Sequence, residues 1–361
     1  MALAVQGRTP ERARDPAGTS APRSYLFDDL FARRYDESIL DSFPGLTLSG
    51  ALPSWARLAM AVRRFSDDYD VVVTWSERVS LALMTLDRLF GCQKPHIAMM
   101  YWFSRPSVRI PMHAFSDSLR AIVTWSSVQR KYAIERLNIS PEKIYLVRHF
   151  VDQLFWQPRE AETDQVCSAG SEMRDYPTLI EALRGTGIPC HIASDHVRID
   201  RFGFARRVRI EAYSSAASGN ITVGRKTASE LRNLYARSRF VIVPLQPSDT
   251  DNGITVILEA MAMGKAVICS RTRGQVDAIK DGITGLLVPV GDPKALREAI
   301  VTLWRDPERA SEMGRAARAH VEKWHTLDKF CRDVKSAVDA SLDGRAAARD
   351  GSISDGSLAD G

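Results

Sequence analysis

Residues 250–292 read TDNGITVILEAMAMGKAVICSRTRGQVDAIKDGITGLLVPVGD. The pattern predicts a loop, a helix, a buried strand, a short helix and a second strand. Asp251-Asn252-Gly253 opens directly onto the helix, which carries Glu259 in its early turns. The apolar strand over 266–269 follows, and Gly282 and Gly285 punctuate the way to a strand over 286–290. An anion set at such a helix start meets free backbone N–H groups and the positive end of the helix dipole. A carboxylate one or two turns in accepts hydrogen bonds from hydroxyls, such as those of a ribose. The combination reads as a nucleotide-sugar pocket.

Working outward, the chain alternates strands and helices, the pattern of parallel sheets in α/β layers. Strands are expected at 70–75, 95–101, 120–125 and 143–147, with helices at 79–90 and 128–137. A second domain is expected to open with a strand at 165–170 and a helix at 176–183. Strands at 189–194, 208–213 and 240–244 follow, with a helix at 227–236 before the last of them. Helices are expected at 293–304, 307–321 and 327–338.

The chain has 361 residues, enough for two domains with separate cores. Its 45% hydrophobic and 26% charged composition is that of a water-soluble globular chain. No apolar run reaches the roughly 18 residues of a membrane helix. The formal net charge is +5, but the basic residues are scattered among acids without a dense run or an aromatic platform. Nucleic-acid binding is therefore not expected; a modest basic excess suits diphosphates and anionic lipid surfaces alike. Five cysteines, at 92, 167, 190, 269 and 331, form no CxxC pair, which fits reduced thiols and a cytoplasmic setting. Residues 1–23 lack a signal-peptide core and read as a disordered leader, and residues 343–361 as a disordered tail.

The segment 258–300, LEAMAMGKAVICSRTRGQVDAIKDGITGLLVPVGDPKALREAI, resembles the donor-binding region of retaining GT-B glycosyltransferases of the family-4 (group 1) type. Similarity to the family extends over about 121–338. It implies two Rossmann-like domains facing across a cleft, here 24–160 for the acceptor and 161–322 for the donor. A terminal helix over 323–342 would return to the N-terminal domain. No opening strand with a glycine loop is visible, so the N-terminal domain is expected to be short or atypical, with 25–44 as an irregular first unit. RLNISPEKIYLVRHFVDQLFWQP at 136–158 resembles the end of that domain, with Arg148-His149-Phe150-Val151-Asp152 where the family reads Pro-Asn-Gly-Val-Asp.

The resemblance also implies roles. The family carries two glutamates separated by seven residues; Asp251 fills the first place, beside the transferred sugar, and Glu259 the second, on the ribose. Asn252-Gly253-Ile254 replaces the family's Gly-Phe-Gly, so Gly253, Ile254 and Thr255 would cradle phosphate. Arg174 stands where the family sets a cation against the diphosphate, while Ser171 takes the place of a second arginine. Gly224-Arg225-Lys226 resembles the base-side loop, with Gly224 on the nucleobase and Lys226 within reach of a phosphate. The donor would be UDP- or GDP-linked, with no cofactor and no metal. The acceptor (a saccharide, a lipid-linked group or a small molecule) is not legible.

Plainer readings stand beside these. Glu259 would also suit a helix's first turns, Asp251 an N-cap, and Gly253 a turn needing positive φ. Arg174 would pair at the surface with Asp175 or Glu172. None of the seven histidines has a metal-ligand spacing; His113 and His149 fall in N-domain loops and read as packing residues. Asp68-Tyr69-Asp70 reads as a turn, and the amphipathic stretch 52–65 as a core-facing helix, with peripheral membrane contact as its alternative. Two other functions remain: a nucleotide-sugar-binding protein without transfer, and a sugar-nucleotide epimerase or hydrolase on the same fold.

Overall fold

The computed structural model describes residues 1–5, 21–23, 31, 33–42, 52–91, 94–194, 196–201, 204–209 and 219–344. The chain divides into two compact units. The first comprises Met1–Ala13, Tyr25–Arg148 and Cys331–Gly361, and the second Arg14–Ser24 and His149–Phe330. Both are α/β Rossmann-like domains built on a six-stranded parallel sheet.

In the first unit the strands are β1 (Ala2–Val5), β2 (Arg33–Tyr35), β3 (Val72–Trp75), β4 (His96–Met99), β5 (Ala121–Thr124) and β6 (Ile144–Leu146). They lie in the order β2-β1-β3-β4-β5-β6. Every residue of β4 and β5 is buried, as expected for parallel strands covered on both faces. Helices α1 (Ser54–Arg64), α2 (Glu77–Phe90), α3 (Pro106–Phe115) and α4 (Ser127–Leu137) connect them. α1 turns Leu58, Ala59, Ala61 and Val62 into the core. Asp68 closes a short 3-10 turn and pairs with Arg33 at 2.8 Å, the turn role read from its sequence.

Three expectations need correction here. Residues 2–5 belong to no leader: Ala2, Leu3 and Ala4 are buried in β1, which pairs with both β2 and β3. The unit therefore has its opening strand, and its sheet has as many strands as the parallel sheet of the second. Four small and aliphatic residues beside a Pro/Arg-rich stretch give too short a period to read, and pairing on both sides decides the matter. α3 was not anticipated because Pro111 lies inside it. Residues 6–20 of the 1–23 segment lie outside the described residues, as do 25–30, 32, 43 and 44 of the irregular first unit and 345–361 of the tail.

The second unit's strands are β7 (Gln165–Ala169), β8 (Cys190–Ala193), β11 (Ile221–Val223), β12 (Ser238–Val243), β13 (Ala266–Ser270) and β14 (Gly285–Val288). A separate antiparallel hairpin joins β9 (His196–Arg201) and β10 (Phe204–Arg209). The strand expected at 208–213 is thus the end of this hairpin as far as Arg209, and 210–213 lie outside the described residues. The parallel sheet runs β11-β8-β7-β12-β13-β14, so consecutive sheet strands take the order 3-2-1-4-5-6. Cys167, Val241, Val243 and Cys269 face one apolar layer, and Val166, Phe240, Ile242 and Ile268 the other. Helices α5 (Tyr176–Leu183), α6 (Ala228–Arg237), α7 (Ile254–Ala262), α8 (Pro293–Arg305) and α9 (Pro307–Trp324) supply those layers. α10 (Leu327–Leu342) begins in this unit and ends in the first, where Arg120 donates to the carbonyls of Ser341 and Leu342.

The short helix expected between 270 and 285 does not form. Gly274 instead presses against Thr250, and a Cβ on it would lie 2.2 Å from the Thr250 carbonyl oxygen. That contact holds the segment as a turn.

Candidate functional site

Strand order in the second unit reverses between β7 and β12, and ligands of open α/β sheets sit outside the carboxyl ends of strands at such a point. After β7 the chain turns at Gly170, with φ +88°, and brings Arg174 into an antiparallel bridge with Leu245, just beyond β12. The side chain is 3% exposed. Its Nε donates to the Ala169 carbonyl at 2.9 Å and Nη1 to the Glu172 carbonyl at 2.8 Å. A Cβ at 170 would lie 2.6 Å from Nη2, so glycine makes room for the guanidinium. Among the described residues Arg174 forms no ion pair with Asp175 or Glu172. The Asp175 carboxylate caps α5 at Thr178 instead.

On the other side of the guanidinium stands the start of α7. Gly253 is its N-cap in the left-handed region, with φ +89°. A Cβ there would meet Val243 at 3.0 Å, Leu245 at 3.3 Å and Nη1 of Arg174 at 3.4 Å. Two glycines thus admit one buried cation between two strand ends. The Ile254 amide donates back to Asp251, and the first i→i−4 bond of the helix runs from Ile257 to Gly253. The amides of Thr255 and Val256 precede that ladder, and Thr255 is exposed. Positive dipole end and guanidinium converge, which favours an anion.

Glu259 lies in the second turn of α7, half-buried. The Tyr235 hydroxyl, from α6, donates to its Oε2 at 3.1 Å. Burial lifts the Glu259 carboxyl to about 8, against the opposing pull of the Tyr235 hydrogen bond and the Arg174 charge. Burial and the neighbouring Glu259 charge push the Tyr235 phenol well above its ordinary range.

Asp251 is 5% exposed and accepts from the Thr250 hydroxyl at 3.2 Å. Burial raises its carboxyl to about 7. Its own amide and Thr250 oppose that rise, and the Asp277 charge adds to it. The loop around it is held from behind. Gln275, itself buried, donates through Nε2 to the carbonyls of Asn252 at 3.1 Å and Asp251 at 3.4 Å. Asn252 donates to Ser248 Oγ at 2.9 Å.

Arg174, Gly253 and Glu259 therefore share one corner with the amides of Thr255 and Val256, and Ile254 is half-buried beside them. Gly224 and Lys226 stand elsewhere, at the carboxyl end of β11, two strands from β7. The Gly224 amide donates to Ile192 at 3.1 Å, and its carbonyl accepts from His191 Nε2 at 3.3 Å. Lys226 is exposed, and its charge adds to burial in lowering the His191 pKa. Sequence reasoning missed Tyr235, Gln275 and His191. Each acts across a gap of at least 23 residues, which no local pattern encodes.

Residues 188–306 match the glycosyl transferases group 1 family. This span contains Gly224, Lys226 and the 251–259 loop and helix, while Arg174 precedes it. The chain is similar to D-rhamnosyltransferase WbpZ of Pseudomonas aeruginosa, with 29% identity over 47% of this chain and 43% of the relative. It resembles the lipopolysaccharide core biosynthesis mannosyltransferase LpcC of Rhizobium leguminosarum bv. viciae at 25% identity over 55% of this chain and 60% of the relative. It also resembles the D-inositol 3-phosphate glycosyltransferase of Streptomyces avermitilis, at 35% over 28% and 22%. The matches thus span less than two thirds of each relative. Among solved structures, Anabaena HepE in complex with UDP and glucose superposes with a TM-score of 0.70 at 15% identity, over 94% of this chain and 100% of that one. A glycosyltransferase from Rickettsia africae ESF-5 gives 0.66 at 17%, over 94% and 98%. The fold is that of GT-B glycosyltransferase structures.

Among the described residues no helix is long and apolar enough to cross a membrane, and no three His, Cys, Asp or Glu side chains gather to hold a metal ion.

Proposed function

We propose that the chain is a glycosyltransferase that moves a sugar from a nucleoside diphosphate donor to an acceptor, with retention at the anomeric carbon. The observation that carries this reading is the buried Arg174 guanidinium fitted between Gly170 and Gly253 at the start of α7. A departing nucleoside diphosphate gains negative charge as the glycosidic bond breaks. A preorganised cation and free helix amides stabilise that charge more than they stabilise the intact donor. Glu259, one turn deeper, would accept from the ribose hydroxyls, and Asp251 would face the donor sugar. Gly224 would meet the nucleobase and Lys226 a phosphate. Displacement would proceed on the front face, without a protein nucleophile and without a metal. Similar proteins named as rhamnosyl-, mannosyl- and inositol-phosphate glycosyltransferases support the reaction class. The structural neighbour captured with UDP-glucose supports a uridine donor, and GDP is the other candidate.

Thermal shift against UDP, GDP, ADP and dTDP, each with and without EDTA, tests the donor pocket. A nucleotide at about a hundred times its dissociation constant adds roughly 2.7 kcal/mol of stability. A chelator-insensitive shift with one nucleotide is the expected result. A flat response to all four removes the donor reading.

Glu259 supplies a sharper check. Glu259→Ala should weaken that nucleotide by about 1–3 kcal/mol, because charge-assisted hydrogen bonds to the ribose are lost. The pH dependence has a definite sign. With its folded pKa raised to about 8, Glu259 holds its proton more tightly in the folded chain than in the unfolded one. Its contribution to stability is complete below the unfolded value and is lost as pH rises through about 8. Ribose hydroxyls favour the carboxylate, so nucleotide affinity should increase from pH 6 to 8 with proton release. Calorimetry in buffers of different ionisation enthalpy measures that release. A slope that persists in Glu259→Gln assigns it to another group.

A further inference from the structure

The carboxyl edge of the first unit's sheet carries a feature that the donor site does not use. Val-Thr-Trp-Ser occurs twice, at 73–76 and at 123–126, where β3 and β5 close. These strands flank β4, which is followed by Met100-Tyr101-Trp102. The two Thr residues point into the core and are fully buried. Trp75 ends β3 level with Met99 and Val123, and Trp125 lies two residues further along, level with Tyr101 just beyond the end of β5. Their rings lie 6.1 Å apart, and Tyr101 stacks on Trp125 at 5.4 Å with planes 17° apart. Trp125 is buried beneath the group, while Trp75, Tyr101 and Trp102 are half-buried. Strand order in this unit reverses between β1 and β3, so Trp75 flanks its topological switch point.

The loop that carries Tyr101 is held rigidly. Glu77, at the start of α2, accepts from the Trp102 amide at 2.8 Å and the Tyr101 amide at 3.4 Å. Gln129, fully buried in α4, accepts from the Ser104 amide at 3.1 Å and donates to its hydroxyl at 3.3 Å. The Arg105 guanidinium sits 5.4 Å over the Trp102 ring. The partly exposed residues at 75–77 and 101–105 are aromatic or polar (Trp75-Ser76-Glu77, Tyr101-Trp102, Ser104-Arg105), Met100 is fully buried, and the aliphatic Val5 at the end of β1 is half-buried beside Trp75. An alkyl chain would find little to pack on. A pyranose presents an apolar C–H face to the negative ring faces and hydroxyls to the polar groups around them.

We propose that Trp75 and Tyr101, backed by the buried Trp125, form a platform that binds a pyranose ring of the acceptor, so the acceptor is a saccharide. The acceptor role rests on the glycosyltransferase reading; the sugar site itself does not. Its test is saturation-transfer NMR on the full chain with millimolar methyl pyranosides of glucose, mannose, galactose and N-acetylglucosamine. At least one should receive saturation on its ring C–H protons, undiminished by saturating UDP. Trp75→Ala and Tyr101→Ala should each weaken binding about tenfold, the loss of one aromatic contact. Trp75→Phe, which keeps a stacking face, should retain most of it and decides the matter if Trp75→Ala does not fold. No transfer to any of the four sugars overturns the proposal, as does transfer unchanged in folded Trp75→Ala and Tyr101→Ala chains. Transfer to 1-octanol in place of the sugars, or transfer abolished by UDP, overturns it equally. The nucleotide thermal shift is read on the same chains. Its absence beside an intact sugar signal would retire the donor reading and leave the platform standing.

Discussion

Arg174→Ala should lower turnover by about 10²–10³, the usual effect of removing one preorganised donor from a developing anion. Nucleotide affinity should fall far less, because most of the charge at the leaving oxygen appears only as the bond breaks. The side chain is also part of the fold: it is 3% exposed and donates to the carbonyls of Ala169 and Glu172. Its loss should cost about 1–3 kcal/mol of stability through unsatisfied acceptors, so melting temperature must accompany kinetics. Arg174→Lys keeps the charge without the planar fork and should fall between the two. Steady-state kcat measured beside the nucleotide dissociation constant decides the role. A loss carried wholly by weaker nucleotide binding, with kcat intact, would make Arg174 a binding residue only.

The second large effect is structural. Gly274→Ala places a Cβ 2.2 Å from the carbonyl oxygen and 2.3 Å from the nitrogen of Thr250, and 2.4 Å from the Asp249 carbonyl carbon. These are backbone atoms and have no rotamer to escape into. The 248–252 loop must move, and with it the Gly274 amide bond to Ser248 and the Gln275 bonds to Asp251 and Asn252. We expect about 3 kcal/mol of destabilisation, the upper end of overpacking, and loss of the nucleotide-induced thermal shift. Gly282→Ala is the control. Its φ is +75° but nothing lies within 4 Å of the added Cβ, so it should lose only about 1 kcal/mol from backbone strain. Urea midpoints of the two variants measure the difference. Equal midpoints would show that the loop yields to Gly274 without cost.

Much of the second unit was legible because its signals are local. Buried parallel strands such as Ala266–Ser270 are continuous apolar runs, and Asp292 and Asp306 announce helices by capping them. The 251–259 loop and helix were readable for the same reason. Two elements of the first domain were not. β1 is four residues long and earns its place only by pairing on both sides; α3 carries a proline that reads as a break.

By itself, the sequence determined the α/β class, most of the strands and helices, and which acids, glycines and arginine deserve scrutiny. Only the tertiary structure decided how those residues meet. It set Arg174 between two glycines that lie 83 residues apart in sequence. It gave Glu259 its Tyr235 partner and the burial that lifts its pKa, and it brought together the aromatic ends of three neighbouring strands. Local pattern sets backbone conformation through short-range sterics and hydrogen bonds. Burial, desolvation and side-chain stacking arise from contacts between distant segments, and they exist only once the sheets have formed.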